Sequence, residues 1–377
     1  MTETAAPARM TAAVYHGQYD IRIEERPTPH AAPGELLLEV GTVGVCGTDV
    51  SEWALGPRQH PFAAPHPVTG HQGAIIPGHE FSGTVIAVGT GVDPSWLGQR
   101  VASCGSVACG HCDPCLRGQS NQCRRYNGVG LHRDGALAGY VSTPPENCRS
   151  IEGLGISLDE AALCQPMSIA VHNVARAGDV AGQTVVLQGV GGIGTFLAYA
   201  LVEAGADVIA TDMDAGRLAI ARELGVRRTV QVAGDEGDLE LIRAELGEQE
   251  LRVVFEVSGS RAGALAALAL APRGGRIVFV GIQKTPIEID LSNVTFEEKI
   301  LIGTNALVRE LDFPRAVELI AKRRGRWDII APRVVPLDAY VEEALRPMSE
   351  GRPKAIKTLV DPRATAIRPI ATEKPGA

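Results

Sequence analysis

Several features that would mark large classes of protein are missing from this chain of 377 residues. It has no basic stripe interleaved with aromatic side chains, and its 44 acidic residues outnumber 36 Lys and Arg residues, which leaves a net charge of −8. The charge pattern therefore gives no indication of nucleic-acid binding. No apolar run reaches membrane-spanning length, so we expect no membrane partner. The first residues are acidic and lack the apolar segment of a secretion signal, which predicts a cytoplasmic protein.

Repeats and low-complexity linkers are also missing, and the composition is that of a globular protein. Hydrophobic residues make up 45% of the chain and charged residues 21%. A chain of 377 residues exceeds the size at which single hydrophobic cores stop growing. Two domains are therefore predicted.

The two parts of the chain differ in pattern. Up to about residue 165 it is rich in Gly and Pro and has short apolar runs typical of strands, at Leu36–Val40, Gly83–Val88 and from Tyr140. From Ala161 onward, predicted strands alternate with predicted helices. The strands are Thr184–Gln188, Asp207–Thr211, Val253–Val257 and Arg276–Val280, and the helices are Ile193–Ala204 and Ala215–Leu224. This alternation indicates an α/β fold with a parallel sheet covered by helices on both faces.

After Asn305 the pattern is mixed again. We expect a helix over Phe313–Lys322 and a final strand over Ala355–Val360. The last dozen residues are polar and contain proline, so they are expected to fray.

Four of the eight cysteines are clustered with the spacing C-x2-C-x2-C-x7-C. Thiolates at this spacing close around one tetrahedral metal, which predicts a structural zinc. A disulfide-bonded loop is the weaker alternative, because no secretion signal is present. The four ligands are Cys109, Cys112, Cys115 and Cys123. Cys104 and Cys148 lie outside this set and are predicted to be free thiols.

A glycine-rich turn follows the predicted strand Thr184–Gln188 and opens a helix, which is the context that a G-x-G-x-x-G pattern needs. Gly189 permits the tight turn, Gly191 lets a pyrophosphate approach the backbone, and Gly194 lets the helix pack on the strand. The turn also includes Gly192 and Ile193, where the helix start presents unpaired N–H groups to phosphate. A dinucleotide cofactor is predicted.

The second strand of this unit ends in Asp212, whose carboxylate is placed to accept the ribose hydroxyls. The same charge repels a 2′-phosphate, so NAD is favoured over NADP. Alternatively, Asp212 or Asp214 caps the helix that begins near Ala215. Arg217 could weaken the preference for NAD, although we expect it along the adenosine ribose.

Two further sequences carry candidate metal ligands. Cys46 precedes Thr48 and Asp49. His79 precedes Glu80, and this pair lies between Gly78 and Gly83. Neither sequence alone indicates a metal site, because a single buried Cys usually belongs to the core and a single His usually lies at the surface. Together they are typical of an open zinc site with Cys, His and carboxylate ligands and one position left for water or substrate.

In this order and spacing, the residues resemble the zinc-containing medium-chain alcohol dehydrogenase superfamily over nearly the whole chain. The resemblance rests on Gly44-Val-Cys46-Gly-Thr48-Asp49, Gly78-His79-Glu80-Phe81-Ser-Gly83, the four-cysteine cluster, the glycine-rich turn and Ala355-Ile-Lys-Thr-Leu-Val-Asp-Pro362. Within the superfamily the chain is similar to the butanediol and sorbitol (polyol) dehydrogenases. The stretches Glu52-Trp53 through Gly56-Pro57 and Pro65-His-Pro67-Val-Thr-Gly70 resemble the butanediol type in particular.

The resemblance implies a GroES-like, β-rich catalytic domain formed by residues 1–166 and 306–377, with the structural zinc lobe at about 104–123. Residues 167–305 would form the doubly wound Rossmann domain. It also implies a catalytic zinc on Cys46 and His79, with Glu80 as a ligand or exchangeable neighbour. Thr48 would accept the substrate proton and pass it outward through the nicotinamide ribose and Ser51, and Asp49 would orient His79.

Two positions depart from the related polyol enzymes. Gln165 stands where they usually carry Glu before proline, facing the zinc directly or through water. Gln165 keeps a carbonyl oxygen as a ligand but removes one negative charge, and Cys164 is the alternative third protein ligand. Ser51 stands where relatives often have His, and a serine passes a proton but does not store one at neutral pH.

These features predict two zinc ions per chain, NAD, and hydride transfer with a small secondary alcohol or ketone, such as a vicinal diol, hydroxyketone or polyol. Pairs expected around the nicotinamide are Val257 and Ser258, Val280 and Gly281, and Gly303 and Thr304. Three alternatives are a zinc-free quinone or enoyl reductase, a tailoring enzyme that uses NAD transiently in epimerisation or elimination, and a non-catalytic zinc-binding protein. A homodimer or homotetramer is expected.

Overall fold

The computed structural model describes residues 6–235 and 237–373, which group into two units. One unit holds the described residues up to Ser168 together with those from Leu307 onward, and the other is Ile169–Ala306. The first unit is thus built from two separate stretches of chain. No helix in the described part of the chain is long and apolar enough to cross a membrane.

The first stretch is mainly β-structure, because its short apolar runs pack into one core. Its strands are β1 (Arg9–Gly17), β2 (Asp20–Pro27), β3 (Leu36–Gly44), β4 (Glu80–Val88), β5 (Arg100–Ser103), β6 (Ser106–Val107), β7 (Asn127–Gly128), β8 (Tyr140–Thr143) and β9 (Cys148–Ser150). Its helices are α1 (Gly47–Leu55), α2 (Asp113–Leu116) and α3 (Leu158–Ala161), with 3₁₀ turns at Pro94–Trp96, Ser120–Gln122 and Pro145–Asn147. In the largest sheet, which has eight strands, β3, β4, β5 and β9 lie side by side in that order, and β8 pairs with the start of β3.

The register between β3 and β4 positions the candidate metal ligands. These strands are antiparallel, and Gly44 at the end of β3 lies opposite Glu80 at the start of β4. Cys46 follows the first strand by two residues and His79 immediately precedes the second. A pairing of residues far apart in sequence therefore brings the two predicted ligands to the same end of the sheet.

The second unit begins within α4 (Cys164–Ala177) and alternates strands with helices. The elements are β10 (Thr184–Gln188), α5 (Gly192–Glu203), β11 (Asp207–Asp212), α6 (Ala215–Glu223), β12 (Arg228–Gln231), α7 (Asp238–Leu246), β13 (Leu251–Glu256), α8 (Arg261–Leu270), β14 (Arg276–Phe279), α9 (Leu291–Phe296) and β15 (Ile300–Gly303). All neighbours are parallel, in the order β12–β11–β10–β13–β14–β15. This is the strand order of a dinucleotide-binding fold, in which ligands bind beyond the carboxyl ends of the central strands.

The returning stretch adds α10 (Arg309–Lys322), β16 (Arg333–Pro336), a 3₁₀ turn at Leu337–Ala339, a π-helix at Val341–Leu345, α11 (Arg346–Ser349), β17 (Leu359–Asp361) and β18 (Arg368–Pro369). The strand β17 pairs with β3, so both stretches share one sheet.

Two expectations for the returning stretch were wrong. The strand predicted over Ala355–Val360 is β17, which begins at Leu359 and has only three residues. The end of the chain was predicted to fray, but within its described residues β18 pairs with β16. The backbone N–H of Ala371 also donates to Asp159 at 2.7 Å. The final four residues lie outside the described part of the chain.

Candidate metal and dinucleotide sites

The predicted catalytic metal ligands come together in the first unit. Cys46, His79 and Glu80 each offer a ligand atom, and these atoms all lie within 4.8 Å of one another. His79 and Glu80 are buried and Cys46 is half-buried. A thiolate, an imidazole and a carboxylate are the ligands that zinc prefers, and three protein ligands leave a fourth position for water or substrate.

Unpaired polar atoms in this cluster support its use by a cation. Glu80 Oε1 and His79 Nδ1 are buried without a hydrogen-bond partner among the described residues. His79 Nδ1 lies on the side of Asp49, which leaves Nε2 as the ring nitrogen available to the cluster. Burial alone would lower the pKa of His79, but Asp49 and Cys46 raise it to about 10. The surroundings are thus strongly electronegative, as a zinc site requires.

Asp49 lies behind His79 in the first turn of α1. Its Oδ2 accepts a hydrogen bond from the backbone N–H of Cys46 at 2.8 Å, which caps the helix. Its Oδ1 lies 3.7 Å from His79 Nδ1, within ion-pair range but longer than a hydrogen bond. A carboxylate in this place orients an imidazole whose other nitrogen binds a metal.

Lys357 is a member of this site that was not identified from the sequence. Its ammonium donates to Glu80 Oε2 at 2.6 Å and to the carbonyl of Val45 at 3.0 Å. This pair occupies one oxygen of Glu80 and leaves the other without a described partner. The signal was present in the Ala355-Ile-Lys357 sequence, which looked like an ordinary strand.

The other predicted residues of this site lie on α1 and at the start of α4. Thr48 Oγ1 is 3.6 Å from Cys46 Sγ, and Ser51 lies half-buried on the same helix α1. Gln165 is buried at the start of α4, and its side-chain carbonyl has no partner among the described residues. Cys164 is fully buried and is not part of the Cys46 cluster. Burial, with a smaller effect of Glu160, raises the pKa of Cys164, so it lacks the surroundings of a thiolate ligand.

The four predicted ligands of the structural zinc also form one cluster. Cys112 Sγ lies 3.5 Å from Cys115 Sγ and 3.8 Å from Cys123 Sγ. Disulfide sulfurs are bonded at about 2.05 Å, whereas thiolates about 2.3 Å from one tetrahedral zinc lie roughly 3.8 Å apart. The spacing fits a shared metal and excludes a disulfide between these pairs.

Backbone N–H groups around this loop favour thiolates. The N–H of Cys109 donates to Cys123 Sγ at 3.2 Å, and the N–H of Arg124 donates to Cys112 Sγ at 3.5 Å. The backbone N–H groups of Cys115 and Arg124 lower the pKa of Cys112 to about 6. Burial raises the pKa of Cys115 to about 12, so within this loop the backbone favours a thiolate at Cys112 first. Cys104 and Cys148 are buried outside the cluster as free thiols, as predicted.

The glycine-rich turn of the second unit has the predicted geometry. Gly189 has φ +94°, in the region that favours glycine. A Cβ on Gly194 would lie 2.0 Å from the Gly189 carbonyl oxygen, so only glycine fits there. Gly191 precedes α5, whose first turn includes Gly192 and Ile193 and has no side-chain cap. The helix start is therefore open to a phosphate.

Asp212 ends β11 beside this turn and lines a cavity of about 390 Å³. Its Oδ2 accepts from Val190 N at 2.9 Å and its Oδ1 from Asp214 N at 2.9 Å. Arg217 lines the same cavity, with Nη1 3.8 Å from Asp212 Oδ1. The alternative that Asp214 caps α6 also holds, because it accepts from Gly216 N at 2.7 Å. Asp212 also lines the cavity, where each carboxylate oxygen can accept a further hydrogen bond.

The residues expected around the nicotinamide follow the carboxyl ends of three neighbouring strands. Val257 and Ser258 follow β13 and line the cavity. The N–H groups of Val280 and Gly281, after β14, donate to the Glu256 carbonyl at 2.8 and 2.9 Å. Gly303 ends β15 and Thr304 follows it. Their contact with a nicotinamide stays a prediction.

Comparisons with known proteins agree with the fold and identify the family. Residues 32–153 match the family model described as an alcohol dehydrogenase GroES-like domain, and residues 192–322 match that of a zinc-binding dehydrogenase. An L-threonine 3-dehydrogenase of Chelativorans sp. (strain BNC1) is 36% identical over 309 residues, which cover 81% of this chain and 86% of that protein.

Two solved structures are similar over nearly the whole chain. The 2R,3R-butanediol dehydrogenase from Bacillus subtilis has a TM-score of 0.85 at 29% identity, covering 94% of this chain and 100% of its own. A zinc-binding dehydrogenase from Sinorhizobium meliloti 1021, bound to NADP, has a TM-score of 0.82 at 28% identity with the same coverages.

Proposed function

Because the chain belongs to the zinc-containing medium-chain alcohol dehydrogenase superfamily, whose cofactors are zinc and NAD, we propose that it oxidises a small secondary alcohol with a polar group on the neighbouring carbon. Vicinal diols, hydroxyketones and polyols have this arrangement. The observation that carries the proposal is the convergence of Cys46, His79 and Glu80 ligand atoms within 4.8 Å. A zinc-free reductase would have no use for this buried ligand set.

In this proposal Cys46 and His79 hold the catalytic zinc, Glu80 Oε1 is an exchangeable third ligand, and Gln165 faces the zinc directly or through water, so that one position stays open for the substrate. When bound, zinc supplies Lewis-acid activation of the substrate hydroxyl and NAD supplies the hydride acceptor. Thr48 accepts the hydroxyl proton, and Ser51 helps to pass it to water. Asp49 holds the imidazole of His79 so that its Nε2 faces the metal position.

Dehydrogenation of L-threonine at its hydroxyl-bearing carbon is the second candidate. It is favoured by the L-threonine 3-dehydrogenase from Chelativorans sp., which is 36% identical to this chain. Threonine carries a secondary hydroxyl beside an amine, whereas butanediol carries one beside a second hydroxyl. Both substrates therefore present a secondary hydroxyl with a polar neighbour to the zinc. They differ in charge, because threonine carries an ammonium and a carboxylate and butanediol carries neither.

The test is an assay of several substrates in which NADH is measured by its absorbance. It compares 2,3-butanediol, acetoin, sorbitol and L-threonine, with NAD or NADH as the reaction direction requires. Stoichiometric NADH formation from an alcohol supports a dehydrogenase, and product formation without net NADH would support a tailoring enzyme that uses NAD transiently. No NAD binding by titration calorimetry would favour the non-catalytic zinc protein.

Metal analysis of two variants links activity to the proposed site. Wild-type protein is expected to hold two zinc ions per chain. Cys46→Ser should retain only the zinc of the four-cysteine cluster and lose NADH formation. Cys148→Ala is the matched control, because Cys148 is a buried thiol outside both clusters. It should keep both zinc ions, and full activity in Cys46→Ser would contradict the assignment.

We also propose that the protein forms a homo-oligomer through the β15 side of its parallel sheet. This strand is the outermost one on its side, and apolar side chains near it are exposed. Ile282 is 86% exposed, Phe296 81% and Ile300 51%. An uncovered edge strand with apolar neighbours is a ready pairing surface. Light scattering coupled to gel filtration measures the mass, and a monomer would contradict the proposal.

A further inference from the structure

Glu256 is a buried carboxylate beside the cofactor cavity, and the reaction described so far does not use it. It is the last residue of β13 and is fully buried. The two residues that follow it, Val257 and Ser258, line the cavity of about 390 Å³ that Asp212 also lines. A carboxylate in the interior is costly unless hydrogen bonds compensate it, so its partners indicate what it does.

The side chain of Glu256 connects the two loops that leave the sheet after β13 and β14, which are neighbouring parallel strands. Its Oε1 accepts hydrogen bonds from the hydroxyl of Ser258 and, at 3.1 Å, from the N–H of Gly259, both in the first loop. Its Oε2 accepts from the side-chain amide of Gln283, in the second loop, at 3.2 Å. One carboxylate therefore holds both loops.

Two glycines leave the space that the carboxylate occupies. A Cβ on Gly281 would lie 2.2 Å from the nitrogen of Gly259 and 2.9 Å from Glu256 Oε2. A Cβ on Gly263 would lie 2.4 Å from Ser258 Oγ and 2.8 Å from Glu256 Oε1. Any larger residue at either position would displace the carboxylate or its partners. The two loops and the start of α8 are thus packed around Glu256.

The contacts reach the cavity wall through Ser258. Its hydroxyl donates to Glu256 and accepts from the N–H of Ser260 at 3.2 Å. Ser260 in turn caps α8 by accepting from the N–H of Gly263 at 2.9 Å. Ser258, Ser260 and Gly263 all line the cavity. A shift of the carboxylate would therefore shift this part of the wall.

We propose that Glu256 is a positioning residue for the dinucleotide cofactor, because its carboxylate keeps the loops after β13 and β14 in the arrangement that binds NAD. Loops that are held in their binding conformation before the ligand arrives cost less free energy to order when it binds. Glu256 acts through its hydrogen bonds to these loops and not by contact with the cofactor. The inference rests on the proposed function, in which this cavity holds NAD.

The test compares two variants of Glu256 by the dissociation constant of NAD, measured by titration calorimetry. Glu256→Met keeps the length of the side chain but is at most a weak acceptor. We expect the constant to rise about tenfold, the order of effect that loss of a hydrogen bond to a charged group has. Glu256→Gln should bind NAD almost like wild type. Its amide oxygen still accepts from Ser258 and Gly259, and the amide of Gln283 can turn to present its own oxygen.

Steady-state kinetics give a second readout. In Glu256→Met the KM for NAD should rise while the KM for the alcohol and the zinc content stay as in wild type. Gln283→Leu removes one donor at a half-buried position and should raise the NAD dissociation constant about threefold. This milder variant decides the question if Glu256→Met does not fold.

Glu160→Met is the matched control. Glu160 is also a fully buried carboxylate that accepts backbone hydrogen bonds, from Ser157 N at 3.0 Å and Gly325 N at 2.6 Å. It belongs to the first unit and does not line the cofactor cavity. This variant should melt at a lower temperature with an unchanged dissociation constant for NAD.

Two results would overturn the inference and leave the proposed function intact. One is a lowered melting temperature in Glu256→Met and Gln283→Leu with no change in NAD affinity, as a purely structural carboxylate would give. The other is an equal loss of NAD affinity in Glu256→Met and Glu256→Gln, which would assign the effect to charge instead of hydrogen bonding. Wild-type protein that binds no NAD would instead overturn the proposed function and the inference with it.

Discussion

Lys357 lies 277 positions after Glu80, and its ammonium contacts Glu80 Oε2 at 2.6 Å in the interior of the first unit. Both side chains are almost fully buried, at 6% and 1% exposure. The contact joins the returning stretch of the chain to the start of β4, where the candidate zinc ligands lie. A buried carboxylate beside the candidate metal site thus has its counter-charge supplied by a residue from the returning stretch of the chain.

Replacing Lys357 by Met should destabilise the protein strongly, because it leaves Glu80 buried without its partner. Removing one member of a buried ion pair costs about 3–5 kcal/mol. Denaturant unfolding measures the loss. The double variant Glu80→Gln with Lys357→Met should recover part of it, since neither charge is then left unpaired.

Lys354→Met is the control for this prediction. Lys354 pairs with Glu343 at 2.7 Å, but its side chain is 42% exposed. Exposed pairs contribute about 0–1 kcal/mol, so this variant should unfold almost like wild type. A loss of the same size in both lysine variants would show that burial does not set the strength of the Glu80 pair.

The sequence predicted the overall fold because the informative residues are local. The GroES-like and Rossmann architecture is confirmed by the family matches and the strand order. Closely spaced cysteines and the glycine-rich turn identify their chemistry within a few residues. Strands β12 and β15 were not predicted, because β12 contains only one apolar residue, Val230, and β15 has only four residues, of which Ile300 and Leu301 are exposed.

The long-range parts of the metal site were harder to predict. Lys357 contributes through a contact between distant stretches of the chain, and no local pattern around it reveals its partner. The same reason explains the incorrect start of the last strand. Lys357 lies just before β17, and its side chain reaches back to Val45 and Glu80. Alternation in the sequence could not distinguish that arrangement from a strand.

The zinc of the four-cysteine cluster should be structural. Cys112→Ser is expected to lose one zinc ion per chain and to unfold or aggregate, because an incomplete tetrahedral site leaves its loop unsupported. Metal analysis and thermal melting measure both effects. Cys104→Ala, which changes a buried thiol outside the cluster, should keep two zinc ions. Normal melting and two zinc ions in Cys112→Ser would reject a structural role.

Cofactor preference should depend on Asp212. We expect a large preference for NAD over NADP in wild type, and a much smaller one in Asp212→Ala, because a 2′-phosphate then meets no repulsion. The readout is the ratio of kcat/KM for the two cofactors. The ratio is more informative than either value, since Asp212 also accepts a hydrogen bond from Val190 in the glycine-rich turn. Its loss should therefore raise KM for both cofactors.

Asp214→Ala separates the cofactor effect from a general loss of stability. Asp214 caps α6 by accepting from Gly216 N and Arg217 N. Loss of a cap costs about 1 kcal/mol, so the control should melt earlier with its cofactor ratio unchanged. Equal wild-type efficiency with NAD and NADP would contradict the role of Asp212.

Gln165→Glu tests whether the Gln165 carbonyl faces the catalytic zinc. The side chain is buried and its Oε1 has no partner in the described chain, as expected of an oxygen reserved for a metal or its water. A carboxylate there would add an anion to a site with Cys46 and Glu80. The extra charge should weaken the pull of the metal on the substrate oxygen and raise the pKa of the bound alcohol. The pH profile of alcohol oxidation should therefore move to higher pH with zinc retained.

The alternative is that Gln165 is a core amide away from the metal, and the same variant separates the two cases. A carboxylate would then be buried without a cation, which costs stability but shifts no kinetic pKa in a fixed direction. Gln165→Met controls for the loss of the amide, because it adds no charge and should leave the pH profile in place. The kinetic pKa and the melting temperature are measured for both variants. An unmoved profile with a lowered melting temperature in Gln165→Glu would remove Gln165 from the catalytic site.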